Sequence, residues 1–217
     1  MSLTLYAHPF SSYSQKVLIA LWENGTPFAY RHMEEPGAGE ELVQLWPIGK
    51  FPVLLDGSST IVETSIIIEH LDHYHPGSVR FLPEDPIDAL EVRLLDRFFD
   101  QHVMNAAQVA VNESLRQTAD RLDEAKQTSA AALERAYSWL ERRLADREWA
   151  AGNFFSLADC AAAPSLFYAD WVHPIDSIFP KVRAYRARLL ARPSFCRAVE
   201  EGRRYRSYFP LGAPDRD

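Results

Sequence analysis

Ser11-Ser12-Tyr13-Ser14-Gln15-Lys16-Val17-Leu18-Ile19-Ala20-Leu21-Trp22 is the stretch around which the chain is organised. A short apolar strand holding Leu3 and Leu5 leads into it, and the hydroxyl run then caps the apolar helix that begins at Val17. First-turn amides of a helix lack intrahelical partners and the macrodipole is positive there, so the serines mark a place for a thiolate, carboxylate or phosphate. The Ser-x-x-Ser spacing copies the Cys-x-x-Cys of redox proteins with oxygen in place of both sulfurs. A serine cannot cycle through a disulfide, but it can donate a hydrogen bond to a thiolate supplied by another molecule and so lower that thiol's pKa.

Outward from this helix the signals alternate. Asn24-Gly25 suits a helix end, Phe28-Ala29-Tyr30-Arg31-His32 reads as a second strand, and a short helical turn is expected around Leu42 to Trp46. Val53-Leu54-Leu55 and Thr60-Ile61-Val62 read as a hairpin with a turn somewhat longer than the two-residue minimum. A helix with an apolar face of Ile66, Ile67, Ile68 and Leu71 follows from Glu63 to about His73. Pro76, Pro83 and Pro86 then break the pattern, and beyond them the apolar period is helical throughout. The division is an α/β domain at 1–78, a linker at 79–86 and an all-helical domain at 87–217. Ser156-Leu157-Ala158-Asp159 is a capping box, and helices are expected at Pro180 to Leu190 and Pro193 to Gly202.

Composition bounds the function. A chain of 217 residues with 47% hydrophobic content can bury one sizeable core or two modest ones, which argues against disorder. Its net charge of -7 disfavours nucleic acid and anionic membrane surfaces. Cys160 and Cys196 are far apart in segments that read as helical, so no disulfide framework is expected, and no apolar run approaches the about 18 residues of a membrane span. A cytoplasmic protein is the expectation.

Four marks in order, Ser11-Ser12-Tyr13-Ser14, Phe51-Pro52-Val53, Glu63-Thr64 and Ser156-Leu157-Ala158-Asp159, resemble the cytosolic glutathione transferase family, serine type, over essentially the whole chain. The resemblance implies a thioredoxin-like N-terminal domain, an all-α C-terminal bundle and glutathione as co-substrate. It implies that Ser11 activates the thiol, with Ser12 or Ser14 as the alternative, since one residue of register decides which hydroxyl points at the sulfur. Pro52 matches the family's cis-proline, which would turn the backbone of Val53 toward the cysteinyl part of glutathione. Glu63 and Thr64 match a Glu-Ser pair that would hold the γ-glutamyl group, and Phe10, Lys50 and Phe51 would border the tripeptide. The thiolate would attack a hydrophobic electrophile lying against Phe10 and the helix holding Phe99, His102, Met104, Asn105 and Gln108, with Tyr168 and Trp171 beyond. Tyr13 stands where the zeta motif has cysteine, a departure that weighs against maleylacetoacetate isomerisation. Tyr6 lies nearer the place of the tyrosine used by other classes. The family is normally homodimeric, and some of its relatives are non-catalytic scaffolds.

Two further features have plainer readings. His70, His73 and His75 sit near a helix C-terminus, where imidazoles meet carbonyl dipoles, and no cysteine or partner histidine completes a metal site in the sequence. Arg203-Arg204-Tyr205-Arg206 is short, terminal and set in an acidic chain, so a solvated tail is expected.

Overall fold

The computed structural model describes residues 3–217. Strand β1 (Leu3–Ala7), helix α1 (Ser12–Glu23) and strand β2 (Phe28–His32) come first, then α2 (Ala38–Leu45), the hairpin β3 (Val53–Asp56) and β4 (Ser59–Ile61), and α3 (Thr64–Tyr74). The sheet order is β2-β1-β3-β4, with β1 parallel to β2 and antiparallel to β3. A parallel neighbour requires a crossover, and α1 supplies it. The hairpin is tighter than its sequence suggests. Asp56 pairs with Ser59, so the loop is Gly57-Ser58 alone, and Gly57 at φ 59° takes the left-handed conformation such a turn needs.

Helices α4 (Pro86–Phe98), α5 (Asn105–Ser114), α6 (Leu122–Arg143), α7 (Leu157–Val172), α8 (Pro180–Leu190) and α9 (Pro193–Gly202) follow. A π-helical stretch, Phe99–Met104, joins α4 to α5, and a 3₁₀ turn, Arg203–Tyr208, follows α9. The proline-rich segment is where strand signals stop: beyond it the described residues hold one isolated bridge, Trp149 to Gly152, and no ladder. Each of α4, α8 and α9 starts on proline, whose missing N–H costs nothing in a first turn.

Helix α1 explains how the two halves join. Val17 to Leu21 are apolar on every side, and such a helix is stable only when surrounded. It packs on α3, α7 and α9, so a helix of the sheet layer lies inside the core of the helical layer. Helix α7, buried from Leu157 to Trp171, forms the other side of that contact.

Lys16 interrupts the apolar face. It is 1% exposed, and its Nζ lies 2.6 Å from Asp96 Oδ1 on α4 and 2.8 Å from Asp100 Oδ2 on the π turn. It also donates to Ser65 Oγ at 3.1 Å, and Ser65 donates to Asp96 at 2.6 Å. The cluster therefore ties α1 and α3 to α4 and the π turn.

At the start of α7 the Asp159 carboxylate accepts from the backbone N–H and the hydroxyl of Ser156, at 2.9 and 3.0 Å, as well as from Ala150 N–H and the Tyr185 hydroxyl. Ser156→Ala removes one of these donors and should cost about 1 kcal/mol in urea unfolding, the usual worth of a serine cap. Cys160 is buried and Cys196 is exposed, and both are free thiols.

Candidate functional site

Ser11 is the N-cap of α1, with extended backbone, and its Oγ accepts from Ser14 N–H at 3.2 Å. Because Oγ is an acceptor in that bond, its own proton remains available to a ligand. Ser14 is buried and accepts from His8 N–H at 3.2 Å, so of the hydroxyls in the run Ser14 is turned inward. Gln15 N–H reaches Ser11 O, while the Ser12 and Tyr13 amides carry no bond among the described residues. Together with the Ser11 and Ser12 hydroxyls they form a donor cluster at the positive end of a helix.

A second helix start lies close by. Glu63 adopts φ 68° and ψ 121°, an unusual conformation for a side-chain-bearing residue that costs about 1 to 3 kcal/mol. It turns the chain sharply into α3, where the amides of Thr64 and Ser65 are likewise unclaimed among the described residues. The Phe51-Pro52 peptide is cis. Val53, fully buried, pairs with Tyr6 in the sheet.

These segments border two adjoining cavities. One, of about 310 Å³, is lined by Lys50, Phe51, Pro52, Glu63, Thr64, Ser65, Arg97 and Asp100, with Tyr13, Trp46, Gln101 and Asn105. It is polar and carries both signs of charge, which suits a zwitterion. The other, of about 470 Å³, has Phe10, Ser11, Ser12 and Tyr13 on one side and Met104, Ala107, Gln108, Val111 and Tyr168 on the other. Its walls are mainly apolar. Tyr13, Lys50 and Phe51 belong to both. The Tyr13 hydroxyl, 3.4 Å from Asn105 Oδ1, is pushed up to about 12 by burial and then by the charges of Asp100 and Glu63. It stays protonated at neutral pH and can act there only as a hydrogen-bonding group. Burial also raises the Asp100 carboxyl, against the pull of Lys16.

Among the residues singled out in the sequence, Phe10, Ser11, Ser12, Gln108 and Tyr168 meet at the apolar cavity, Pro52, Glu63, Thr64 and Asn105 at the polar one, and Lys50 and Phe51 at both. Others fall elsewhere. His102 faces a groove between α4 and α6 beside Phe98 and Trp139, which shares Arg97, Gln101 and Asn105 with the polar cavity, and His102 itself lines neither cavity. It is two positions from Met104, about half a helical turn, so one wall cannot hold both. Phe99 is fully buried. Trp171 is 8% exposed and closed off by Phe10 and Phe209, whose ring centroids lie 6.3 and 5.2 Å from its own. Tyr6 donates to Glu41 at 3.0 Å and is no rival for the cleft.

The terminal segment is no solvated tail. Tyr205 is 5% exposed, Arg203 and Arg206 pair with Asp217, and Tyr208, Phe209 and Pro210 close one side of the apolar cavity. Nothing local in the sequence marks those three residues as a wall. Arg97 and Asp100 were equally hidden, since charges on a helix ordinarily read as a solvated face.

The glutathione S-transferase N-terminal domain model matches residues 5–79, and the C-terminal domain model matches residues 98–193. A glutathione S-transferase from Methylobacterium radiotolerans, solved in complex with glutathione sulfonate, is 30% identical, with a TM-score of 0.77 over 92% of this chain and 95% of that one. A probable maleylacetoacetate isomerase of Vibrio cholerae is 29% identical over 93% of this chain and 97% of its own length. FtsZ-localized protein A of Caulobacter vibrioides is also 29% identical, over 88% of each. With both domain models matched in order, and with the mixed sheet and helical bundle they describe, the chain belongs to the glutathione S-transferase family.

Proposed function

We propose that this protein binds glutathione in the polar cavity and presents its thiol, as the thiolate, to a hydrophobic electrophile in the apolar one. The observation that carries this reading is the convergence of two helix N-termini, α1 and α3, on adjoining cavities of opposite character. The Thr64 hydroxyl and the amides of Thr64 and Ser65 would receive the γ-glutamyl carboxylate, and Glu63 or Asp100 would face its ammonium. Lys50 would meet the glycyl carboxylate, and the backbone of Val53 would pair with the cysteinyl residue. The sulfur would then lie at the mouth of α1, within reach of Ser11 or Ser12. No protein base is required: the Ser11 hydroxyl and the helix dipole favour the anion, and the proton leaves to solvent. Phe10, Gln108 and Tyr168 would hold the electrophile.

The test is binding. Immobilised glutathione should retain the protein and free glutathione should release it, with Thr64→Ala binding at least about tenfold more weakly, the loss of roughly one charge-assisted hydrogen bond. Flow-through with no heat in calorimetry would sink the reading and favour a non-catalytic binding or scaffold protein. Isomerisation is the second catalytic reading, supported by the Vibrio relative and opposed by Tyr13 at the position of the zeta cysteine. Turnover of maleylacetoacetate would establish it.

The groove at His102 bears on assembly. It measures about 660 Å³, and Leu90, Leu94 and Ile66 are at least half exposed on the neighbouring α4 and α3 surface. Exposed apolar residues grouped in this way fit a subunit contact. A homodimer is proposed, and sedimentation equilibrium should return twice the chain mass of 24.7 kDa.

A further inference from the structure

Two clusters of histidine and carboxylate lie outside the cavities described above: His8, His32 and Glu34 on one side of the sheet layer, and Asp56, His70 and His75 at the far end of α3. In each, the potential ligand atoms lie within 4.8 Å of one another. Their hydrogen bonds separate them.

In the first cluster Phe10 N–H donates to His8 Nδ1 at 3.2 Å and Glu34 N–H donates to His32 Nδ1 at 3.1 Å. Neutral imidazole carries one proton, so a ring whose Nδ1 accepts must keep the proton on Nε2. Both Nε2 atoms are then donors, toward Glu34 and the Tyr205 oxygen, with no lone pair for an ion. The backbone has fixed the wrong tautomer for ligation.

The second cluster is free of that constraint. Among the described residues no donor reaches Nδ1 of His70 or His75, so Nδ1 can carry the proton and Nε2 can offer its lone pair. His70 Nε2 lies 3.0 Å and His75 Nε2 2.7 Å from the same oxygen, Asp56 Oδ2. Two ligand atoms sharing an ion at about 2.0 to 2.1 Å are about 2.9 to 3.4 Å apart, so small side-chain rotations suffice to admit one. Asp56 also offers a second oxygen that no protein group claims among the described residues. Oδ2 takes both histidines while Oδ1 is buried with no partner. The side chains are 12 to 26% exposed, so an ion has a way in.

We propose that Asp56, His70 and His75 form a binding site for a divalent transition ion of the Zn²⁺ kind, with the remaining coordination positions left to water. Two imidazoles and a carboxylate select such an ion over Mg²⁺ or Ca²⁺, which prefer all-oxygen shells. The ligands come from the hairpin end and the C-terminal end of α3, so the ion would clamp the hairpin to the helix. His75 lies eleven residues beyond Thr64 along that helix, about 16 Å, and the site is therefore separate from the cavities.

The experiment is calorimetric titration of Zn²⁺ into chelator-treated protein, with the visible absorption of Co²⁺ as a second probe. One equivalent per chain is expected for the wild type. His75→Gln, at a partly exposed cap position, and His70→Gln should each weaken uptake at least about tenfold. His32→Gln should leave it unchanged. Zn²⁺ should raise the melting temperature of the wild type and not that of His75→Gln, since only an ion held by the native fold stabilises it. The proposal is overturned if the wild type takes up no ion, if uptake survives both α3 substitutions, or if His32→Gln abolishes it.

Discussion

Lys16→Met should lower the unfolding free energy by about 3 to 5 kcal/mol, the cost of stranding buried charge when one member of an ion pair is removed. The lysine is 1% exposed and faces Asp96 and Asp100, so its loss leaves two carboxylates near each other, with Ser65 still donating to Asp96 and, among the described residues, only the positive charge of Arg97 acting on Asp100. Methionine preserves the length and most of the packing, so the change isolates the charge. Urea unfolding monitored by tryptophan fluorescence measures it. A companion Lys16→Met, Asp96→Asn variant should recover part of the loss, because one stranded charge is then gone. A loss under about 1 kcal/mol would show that the carboxylates shed their charge at little cost or reach water. Asp100 also borders the polar cavity, so the single variant should bind glutathione less well than its stability alone requires.

Ser11→Ala should raise the pKa of bound glutathione thiol by about 1 to 2 units, or about 1.4 to 2.7 kcal/mol of lost preference for the anion. A charge-assisted hydrogen bond is worth about 1.5 to 3 kcal/mol, so one hydroxyl suffices. The sign fixes the pH dependence. With the pKa raised, the thiolate fraction falls at any pH below the new value, so conjugation at about pH 6.5 should drop about 10- to 100-fold and the deficit should shrink toward about pH 9. Thiolate absorbance of the bound tripeptide reads the pKa directly. Losing the N-cap bond to Ser14 should separately cost about 1 kcal/mol of stability, measured without ligand. Ser12→Ala is the discriminating control: a pKa shift there, with none in Ser11→Ala, would transfer the role to the neighbouring hydroxyl.

What the sequence determined by itself was local. The hydroxyl cap at Ser11, the capping box at Ser156, the proline-started helices, the hairpin and the change of period after Pro76 depend on residues a few positions apart, whose propensities and hydrogen bonds act within one turn or one strand pair. Family motifs extended that reading to Pro52, Glu63 and Thr64. Tertiary structure alone decided what depends on distant segments meeting. Lys16 looks like an ordinary charge beside an apolar run until α4 and the π turn bring Asp96 and Asp100 to it. His102 and Gln108 lie on one helical stretch, and only its rotation against α6 and α7 turns one outward and the other into the cleft. Tyr208, Phe209 and Pro210 become a cavity wall because the chain end folds back over α7. Asp56 meets His70 and His75 because the two-residue turn ends β3 beside the C-terminus of α3. Each of these turns on which face a side chain presents to a segment far off in sequence, and packing sets that face where local propensity does not.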